Sequence, residues 1–249
     1  MATAGGLQRS EARAGAFRLV RWTRFAPGTP VLRLYIEGDG HAWARPDRPS
    51  DDPTPWQPVA LELAARDPAA SVAWLSRPCQ YLDPGPAADG ACDQRFWTDE
   101  RYAEVVVQSA SIAVDQLLAA SGARSVELVG FSGGGAVAAL VAARRHDVVT
   151  LRTVAANLDT AAWTRSHGLR PLRGSLNPAD AAGRLASVAQ VHFVGAGDAN
   201  VGPAIAAAYR ARFPPPNCLS VILVADVTHT EGWAERWEGL LRSPAVCLP

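Results

Sequence analysis

The sequence predicts one α/β domain in which a mostly parallel central sheet is covered by helices on both faces. Segments with the pattern of strands and segments with the pattern of helices alternate along the chain, and no internal repeat or linker divides it. With 249 residues, the chain is long enough to bury a substantial core. We expect residues 1–16 to be a flexible N-terminal segment and residues 17–249 to form the domain.

The first half of the chain has three predicted strands and two predicted helices. The strands are FRLVRW (17–22), VLRLYIEG (31–38) and SVAWLSR (71–77). One helix is predicted over 56–66. Another is predicted to begin at Thr98, a good N-cap residue that acidic side chains follow, and to end at Gly122.

The second half alternates strands and helices more regularly. The predicted strands are SVELV (125–129), TLRTVAAN (150–157), QVHFVGAGD (190–198) and CLSVILVAD (218–226). The predicted helices cover 136–145, 178–188, 203–213 and 231–241. This order is typical of parallel strands joined by helical crossovers.

The composition argues against several classes of function. Twenty-four basic residues balance 24 acidic ones, so neither a nucleic acid nor an anionic membrane is an expected partner. Every basic residue is arginine, which excludes a lysine Schiff base and a lysine-bearing phosphate loop. No apolar run approaches the roughly 18 residues of a membrane span, so we expect no transmembrane segment. The N terminus lacks the apolar middle of a signal peptide, as would a chain whose leader had been removed.

Four cysteines bear on the cellular compartment. Cys79 and Cys92 bracket a loop rich in proline and glycine, while Cys218 opens the last predicted strand and Cys247 lies near the C terminus. The pairs Cys79–Cys92 and Cys218–Cys247 would each clamp a loop or a terminus and would imply an oxidising compartment. Four ordinary buried thiols are the alternative. No CxxC or Cys/His cluster is present, so we expect no metal site.

The segment GFSGGG (130–135) contains the G-x-S-x-G pattern between a predicted strand and a predicted helix. In such a turn, Gly130 and Gly134 relieve a close approach, Ser132 is lifted clear of the sheet, and the N–H of Gly133 points toward the same space. A phosphate-binding turn is disfavoured because the glycine spacing fits neither known phosphate loop. A purely structural turn is the remaining alternative.

A nucleophilic serine needs a general base, and the sequence offers five histidines. His146 closes a helix end, and His192 lies inside a predicted strand, where we expect it to pack in the core. His41 and His167 lie on loops. We favour His229, because it follows the last predicted strand at the end of the sheet where the serine also emerges.

The base in turn needs a carboxylate to orient it. Asp198 ends the strand before the last one, and the small residues around it allow a tight loop. Asp159 ends the strand that follows the serine and is the rival. Asp226, three residues before His229, is expected to shape the turn there. We favour Asp198.

The order Ser132, Asp198, His229, each at the end of a strand, resembles that of the α/β-hydrolase fold, over about residues 17–243. The resemblance implies a serine hydrolase with an acyl-enzyme intermediate and no cofactor. It also implies a second oxyanion donor after the early strand, at Asp39 or Gly40, beside Gly133. The usual histidine of this loop is replaced by Glu37, whose side chain we expect to point away.

The segments YIEGDG and RPCQY also resemble those of uncharacterised bacterial envelope hydrolases, which favours the disulfides but supplies no substrate. Paired cysteines would favour a periplasmic, envelope-associated or secreted protein, and unpaired ones a cytoplasmic protein.

The interval 158–177 is too short for a separate lid domain, so the sequence predicts an open site. Candidates for substrate contact are Phe131, His41, Trp43, Trp163, Arg165 and His167. We expect a carboxylester or related small acyl compound as substrate, and no obligate protein partner is evident. Amide or peptide hydrolysis, acyl transfer, a non-catalytic binding protein of the same fold and a nucleotide-binding protein are the alternatives.

Overall fold

A computed structural model describes residues 5–215, 217–245 and 247. The ten strands in this part of the chain are β1 (Gln8–Ala14), β2 (Phe17–Arg24), β3 (Val31–Ile36), β4 (Trp43–Arg45), β5 (Arg48–Pro49), β6 (Val72–Leu75), β7 (Ser125–Phe131), β8 (Val148–Val154), β9 (Ala189–Gly195) and β10 (Leu219–Val224). The α-helices are α1 (Val59–Ala65), α2 (Glu104–Ser121), α3 (Gly133–Ala142), α4 (Thr160–Ser166), α5 (Ala182–Leu185), α6 (Pro203–Arg210) and α7 (Trp233–Leu241). None of these helices is both long and apolar enough to cross a membrane.

Eight of the strands form one twisted sheet in the order β1-β2-β6-β3-β7-β8-β9-β10. The pairs from β6 to β10 are all parallel, while β1 and β2 are antiparallel additions at one edge. All seven strands predicted from the sequence are present, with ends that differ by a few residues. The mostly parallel sheet predicted from the alternating pattern is confirmed.

Two apolar layers cover the sheet, one on each face. One layer packs β-strand side chains against α2 and α3, and the other packs them against α1 and α7. The second layer contains the fully buried indoles of Trp74, Trp233 and Trp237. Trp237 Nε1 donates a hydrogen bond to the Tyr35 hydroxyl at 2.8 Å, which satisfies a buried polar group inside that layer.

The N-terminal segment differs from its expectation. Residues 8–14, which we expected to be flexible, form strand β1 and pair with β2 along their whole length, from Gln8 opposite Thr23 to Ala14 opposite Phe17. Gly15 has φ +59° and allows the tight turn between the two strands. The sequence does not predict this strand, because six of its seven side chains are exposed or half-buried and it therefore lacks an apolar pattern.

The start of the long helix also differs. Helix α2 begins at Glu104, and Thr98 instead ends a short 3₁₀ turn (Gln94–Trp97). The Thr98 hydroxyl donates to the carbonyl of Gln94 at 2.9 Å, so it satisfies that turn and not the helix. The predicted end is confirmed, because Gly122 adopts φ +72° and its N–H caps the helix.

The cysteines are paired as the sequence analysis favoured. Cys79 is bonded to Cys92, and Cys218 is bonded to Cys247. The first disulfide packs with Ala42 and Trp97 in a small apolar cluster beneath the segment that carries β4 and β5. The second joins the start of β10 to the C-terminal segment.

Candidate active site

The chain segments that carry the predicted site all leave the sheet at the carboxyl ends of its parallel strands. Ser132 directly follows β7, Asp198 follows β9 by three residues, and His229 follows β10 by five. The loop 37–40 follows β3, and Arg77 follows β6. In a parallel sheet these ends lie at one edge, where such folds form their sites.

Ser132 sits in a strained turn between β7 and α3. Its backbone has φ 50° and ψ −122°, a conformation that costs a non-glycine residue about 1–3 kcal/mol. The Ser132 N–H donates to the carbonyl of Val154 at 2.9 Å, which fixes the turn to the neighbouring strand β8. The position therefore has the form predicted for a nucleophile at a strand-to-helix turn.

The glycines around Ser132 are needed for close backbone packing. A Cβ atom at Gly130 would overlap both the carbonyl oxygen of Gly134 and the Cα of Gly135, which agrees with the predicted close approach of Gly130 and Gly134. At Gly134 it would overlap the carbonyl oxygens of Ile36 and Glu37, so this glycine lets α3 approach strand β3. At Gly133 it would overlap the carboxylate of Asp39.

The structure brings the three predicted triad residues together. His229 Nε2 lies 3.0 Å from Ser132 Oγ, and His229 Nδ1 lies 2.8 Å from Asp198 Oδ2. An ionised carboxylate only accepts hydrogen bonds, so Nδ1 carries the proton and Nε2 is left to accept the serine hydroxyl. This is the tautomer that a histidine needs to remove a proton from the serine.

The surroundings of Asp198 keep it ionised. Its side chain is buried, and Oδ1 accepts hydrogen bonds from the backbone N–H groups of Asn200 and Val201, both at 2.8 Å. Burial alone would raise its pKa, but the bond and charge of His229 and these two N–H donors outweigh burial and hold the pKa below its ordinary value. The carboxylate is therefore ionised at neutral pH and orients the imidazole.

The rival residues have other roles. Asp159 is the N-cap of α4, and its carboxylate accepts the N–H of Ala162 at 2.9 Å. Asp226 lies in an exposed turn with φ +55°, as we expected. His192 is buried in β9, where its Nδ1 is 2.8 Å from the Thr153 hydroxyl.

Glu37 points away from Ser132, as predicted. Its carboxylate accepts hydrogen bonds from the N–H groups of Gly38 (2.9 Å), Ala60 (3.3 Å) and Leu61 (3.2 Å), and from Trp74 Nε1 (3.1 Å). Burial raises the pKa of Glu37 above its ordinary value, and these hydrogen bonds partly offset the shift. Glu37 thus fixes one side of the loop 37–40 to the start of α1.

The loop after β3 lies beside the serine. A Cβ atom at Gly38 would come within 3.3 Å of Ser132 Cβ and 3.0 Å of the Phe131 ring. The backbone N–H groups of Asp39 and Gly133 have no hydrogen-bond acceptor among the described residues. Gly40 instead faces Pro53 and Gln80, where a side chain would not fit.

Three residues that the sequence analysis missed surround the Asp39 carboxylate. Arg77 Nη1 donates to Oδ1 at 2.8 Å, Arg101 Nη1 donates to Oδ2 at 3.2 Å, and the Tyr102 hydroxyl donates to Oδ2 at 2.7 Å. Arg77 also donates to the Arg101 carbonyl and lies over the Tyr102 ring. The only sequence signal was an arginine at the end of a predicted strand, Arg77, which is also the first residue of RPCQY.

The candidates for substrate contact lie in different places. Phe131 packs against His229, with ring centroids 5.3 Å apart. Trp163 donates through Nε1 to the Asn200 carbonyl at 3.1 Å, beside the Asp198 loop, and its ring lies 5.1 Å from that of His167. Arg165 and His167 are exposed at the end of α4.

His41 follows Gly40 in the chain and is stacked on Trp56, with ring centroids 4.2 Å apart. Trp56 is 83% exposed and was not singled out from the sequence, and Trp43 on β4 is 40% exposed. The stacked pair therefore presents an exposed aromatic surface directly after the loop 37–40.

The interval 158–177 contains only the seven-residue helix α4 and the loop after it, so no large lid covers the site. In the described part of the chain, no group of three or more His, Cys, Asp or Glu side chains is arranged to hold a metal ion.

Comparison with known proteins identifies the fold. No model of a known protein family matches the chain, and no curated protein matches it. A solved putative α/β hydrolase from Agrobacterium tumefaciens is 11% identical, with a TM-score of 0.63 over 97% of this chain and 100% of its own. An α/β serine hydrolase without a lid from Xanthomonas campestris is 12% identical, with a TM-score of 0.60 over 98% and 97%. An esterase from Pyrococcus furiosus is 11% identical, with a TM-score of 0.65 over 97% and 93%.

These similarities extend over nearly the whole of each chain. The protein therefore has the α/β-hydrolase fold, as the order of serine, acid and histidine along the sequence predicted. At this level of identity the likeness concerns the fold.

Proposed function

We propose that this protein is a serine hydrolase that cleaves carboxylesters through Ser132, His229 and Asp198. The main support is the pair of hydrogen bonds that joins Asp198 Oδ2 to His229 Nδ1 and His229 Nε2 to Ser132 Oγ, at 2.8 and 3.0 Å. This arrangement supplies a nucleophile, a general base and an orienting carboxylate in hydrogen-bond contact.

Acylation follows from this geometry. Ser132 Oγ attacks the ester carbonyl carbon while its proton passes to His229 Nε2, and the carbonyl π electrons move onto oxygen. The N–H groups of Gly133 and Asp39, which have no acceptor among the described residues, bind that oxyanion. When the intermediate collapses, the bond to the alcohol oxygen breaks and the alcohol takes the proton from His229 Nε2. The acyl group stays on Ser132.

Deacylation repeats these steps with water. His229 Nε2 removes a proton from water as its oxygen attacks the acyl carbon, and the same N–H groups bind the oxyanion. The Ser132–acyl bond then breaks, and Ser132 Oγ takes the proton back from His229. Asp198 stays ionised throughout and stabilises the imidazolium form of His229 in both steps.

Of the two oxyanion residues weighed from the sequence, Asp39 is favoured over Gly40. Asp39 touches Gly133, whereas the atoms nearest to Gly40 belong to Pro53, Pro55 and Gln80. The Asp39 N–H is therefore the better placed partner for that of Gly133.

The substrate class is inferred from the openness of the site and its aromatic surroundings. Phe131 borders His229, and His41 with Trp56 extends an apolar surface beyond the loop 37–40. A small ester with an apolar or aryl group fits such a site. Solved proteins of similar fold include the P. furiosus esterase and the X. campestris serine hydrolase without a lid.

The two disulfides favour an oxidising compartment, such as the periplasm, the cell envelope or the exterior. This location is part of the proposal.

The test is steady-state hydrolysis of p-nitrophenyl esters of increasing acyl length by the wild type and by Ser132→Ala. We expect turnover of short-chain esters by the wild type and a loss of at least about a thousandfold in Ser132→Ala. Equal hydrolysis by both proteins would contradict the proposal. Turnover of amides but not of esters would redirect it to an amidase with the same residues.

A further inference from the structure

The Asp39 carboxylate accepts three side-chain hydrogen bonds. Arg77 and Arg101 each bind one of its oxygens, and the Tyr102 hydroxyl binds the second oxygen as well. Both arginines are almost fully buried, with 4% and 7% of their surfaces exposed. They are therefore too deeply buried to be the main contact of a substrate.

Asp39, Arg77 and Arg101 together carry an excess of positive charge. Burial would raise the pKa of Asp39, but Arg101, Arg77 and the Tyr102 hydroxyl hold it below its ordinary value, so the carboxylate is ionised. Asp39 in turn outweighs the burial of Arg101 and raises the pKa of that guanidinium. Two cations then face one anion. The next carboxylate that acts on Arg101 belongs to Asp99, which is exposed and screened by solvent.

The position of this charge cluster matters for the reaction. The Asp39 carboxylate lies against Gly133, whose N–H is one proposed oxyanion donor, and the Asp39 N–H is the other. An uncompensated carboxylate at this place would oppose the negative charge that develops on the substrate oxygen. In a partly buried site this repulsion would reduce the stabilisation of the transition state.

We propose that Arg101 and Arg77 are positioning residues that hold the Asp39 carboxylate away from the oxyanion and leave a net positive charge behind the two N–H donors. The inference rests on the proposed function, because it concerns the oxyanion of that reaction. It assigns a role to a buried cluster outside the triad, and it explains why a loop beside the nucleophile can carry a carboxylate.

The test changes the charge of the cluster in steps. Arg101→Gln brings the local charge from +1 to 0, and we expect kcat for p-nitrophenyl acetate to fall about 10- to 100-fold while KM changes less than about threefold. The double variant Asp39→Asn with Arg101→Gln restores a local charge of +1 from Arg77 alone. We expect the double variant to recover most of the kcat that Arg101→Gln loses, even though it carries a second substitution. Arg101→Lys keeps the charge and should also recover kcat.

Tyr102→Phe is the matched control. It removes one hydrogen bond to Asp39 without changing any charge. The kcat of Tyr102→Phe should therefore be severalfold higher than that of Arg101→Gln. Thermal unfolding of every variant shows whether the fold is retained. If Arg101→Gln does not fold, Arg77→Gln takes its place, alone and combined with Asp39→Asn, because it also brings the local charge from +1 to 0.

Two failures are distinguishable. A double variant that is as slow as Arg101→Gln, or slower, would overturn the inference, because loss of the Arg101 hydrogen bonds to Asp39 and to the Thr98 carbonyl would then explain the effect. Retention of full kcat by folded Arg101→Gln would overturn it too. A wild-type protein that hydrolyses no ester and reacts with no fluorophosphonate would instead contradict the proposed function.

Discussion

The carboxylate of Asp39 fills the space beside Gly133 that a Cβ atom would need. Two arginines and a tyrosine hold this carboxylate, so it cannot move aside without breaking three hydrogen bonds. Gly133 therefore has a steric role in addition to the N–H that the sequence predicted for it. It lets the loop after β3 approach the turn that carries Ser132.

Gly133→Ala should consequently reduce activity more than stability. We expect kcat to fall at least about tenfold, because Asp39 must shift and its N–H leaves the proposed oxyanion site. Gly134→Ala should instead destabilise the whole fold, by about 1–3 kcal/mol or more, because the new methyl group would overlap the backbone of Ile36 and Glu37. The measurements are ester hydrolysis and urea unfolding.

Gly183→Ala is the control for both variants. Nothing lies within 4 Å of the position of its Cβ, so neither activity nor stability should fall. A Gly133→Ala protein with wild-type kcat would show that the contact with Asp39 is unimportant for the reaction.

The choice of orienting acid predicts different results for two aspartates. Asp198→Asn should reduce kcat by about a thousandfold or more, because an amide does not hold His229 in the required tautomer. Asp159→Asn should leave kcat within about threefold of the wild type, because asparagine still caps helix α4. The measurement is kcat of both variants by steady-state kinetics, with circular dichroism to check that each is folded. The reverse outcome would assign the acid to Asp159.

The buried imidazole of His192 predicts a loss of stability at mildly acidic pH. Burial lowers the pKa of His192 from 6.5 to about 3. Between these values the unfolded chain binds a proton that the folded protein does not, so stability is full above pH 6.5 and falls as the pH is lowered toward 3. For this group alone the loss at pH 5 is about 2 kcal/mol.

His192→Asn tests this prediction, because asparagine can still accept the Thr153 hydroxyl hydrogen bond. Its free energy of unfolding in urea should change less between pH 7.5 and pH 5 than that of the wild type. The exposed His146 provides the control, since His146→Asn should keep the wild-type pH dependence. Identical pH dependence in His192→Asn and the wild type would contradict the prediction.

The stacked pair of His41 and Trp56 predicts an effect on substrate preference. Trp56→Ala should raise KM for aryl esters such as phenyl acetate by about three- to tenfold and leave KM for methyl acetate unchanged. Its effect on stability should be small, because the indole is 83% exposed. Trp56→Phe keeps an aromatic ring and should remain close to the wild type. Equal changes for aryl and methyl esters would remove Trp56 from the substrate site.

The parts of the site predicted from sequence are those that strand ends determine. Ser132, Asp198 and His229 each follow a strand of clear apolar pattern, and the carboxyl ends of parallel strands lie at one edge. Glu37 was also correctly expected to point away, because a carboxylate facing an oxyanion is unfavourable. Local sequence and general topology were sufficient in these cases.

The remaining features depend on contacts that no local pattern contains. Arg77 and Arg101 are 38 and 62 residues from Asp39 along the chain, and Arg101 lies in an irregular segment. Threonine is a favoured N-cap residue, yet the Thr98 hydroxyl donates its hydrogen bond to the carbonyl of Gln94 in the preceding turn. Strand β1 pairs with β2 across the tight turn at Gly15, but its mostly exposed side chains give it no apolar pattern from which a strand could be predicted.

The most direct measurement of the central claim is the site of covalent labelling by a fluorophosphonate. The folded wild type should gain the mass of one phosphonyl group, with release of fluoride, and peptide mass spectrometry should place that group on Ser132. Ser132→Ala should remain unlabelled, and His229→Asn should label far more slowly because the serine has lost its base. A wild type that stays unlabelled, or an equal label on Ser132→Ala, would contradict the role of Ser132 as nucleophile.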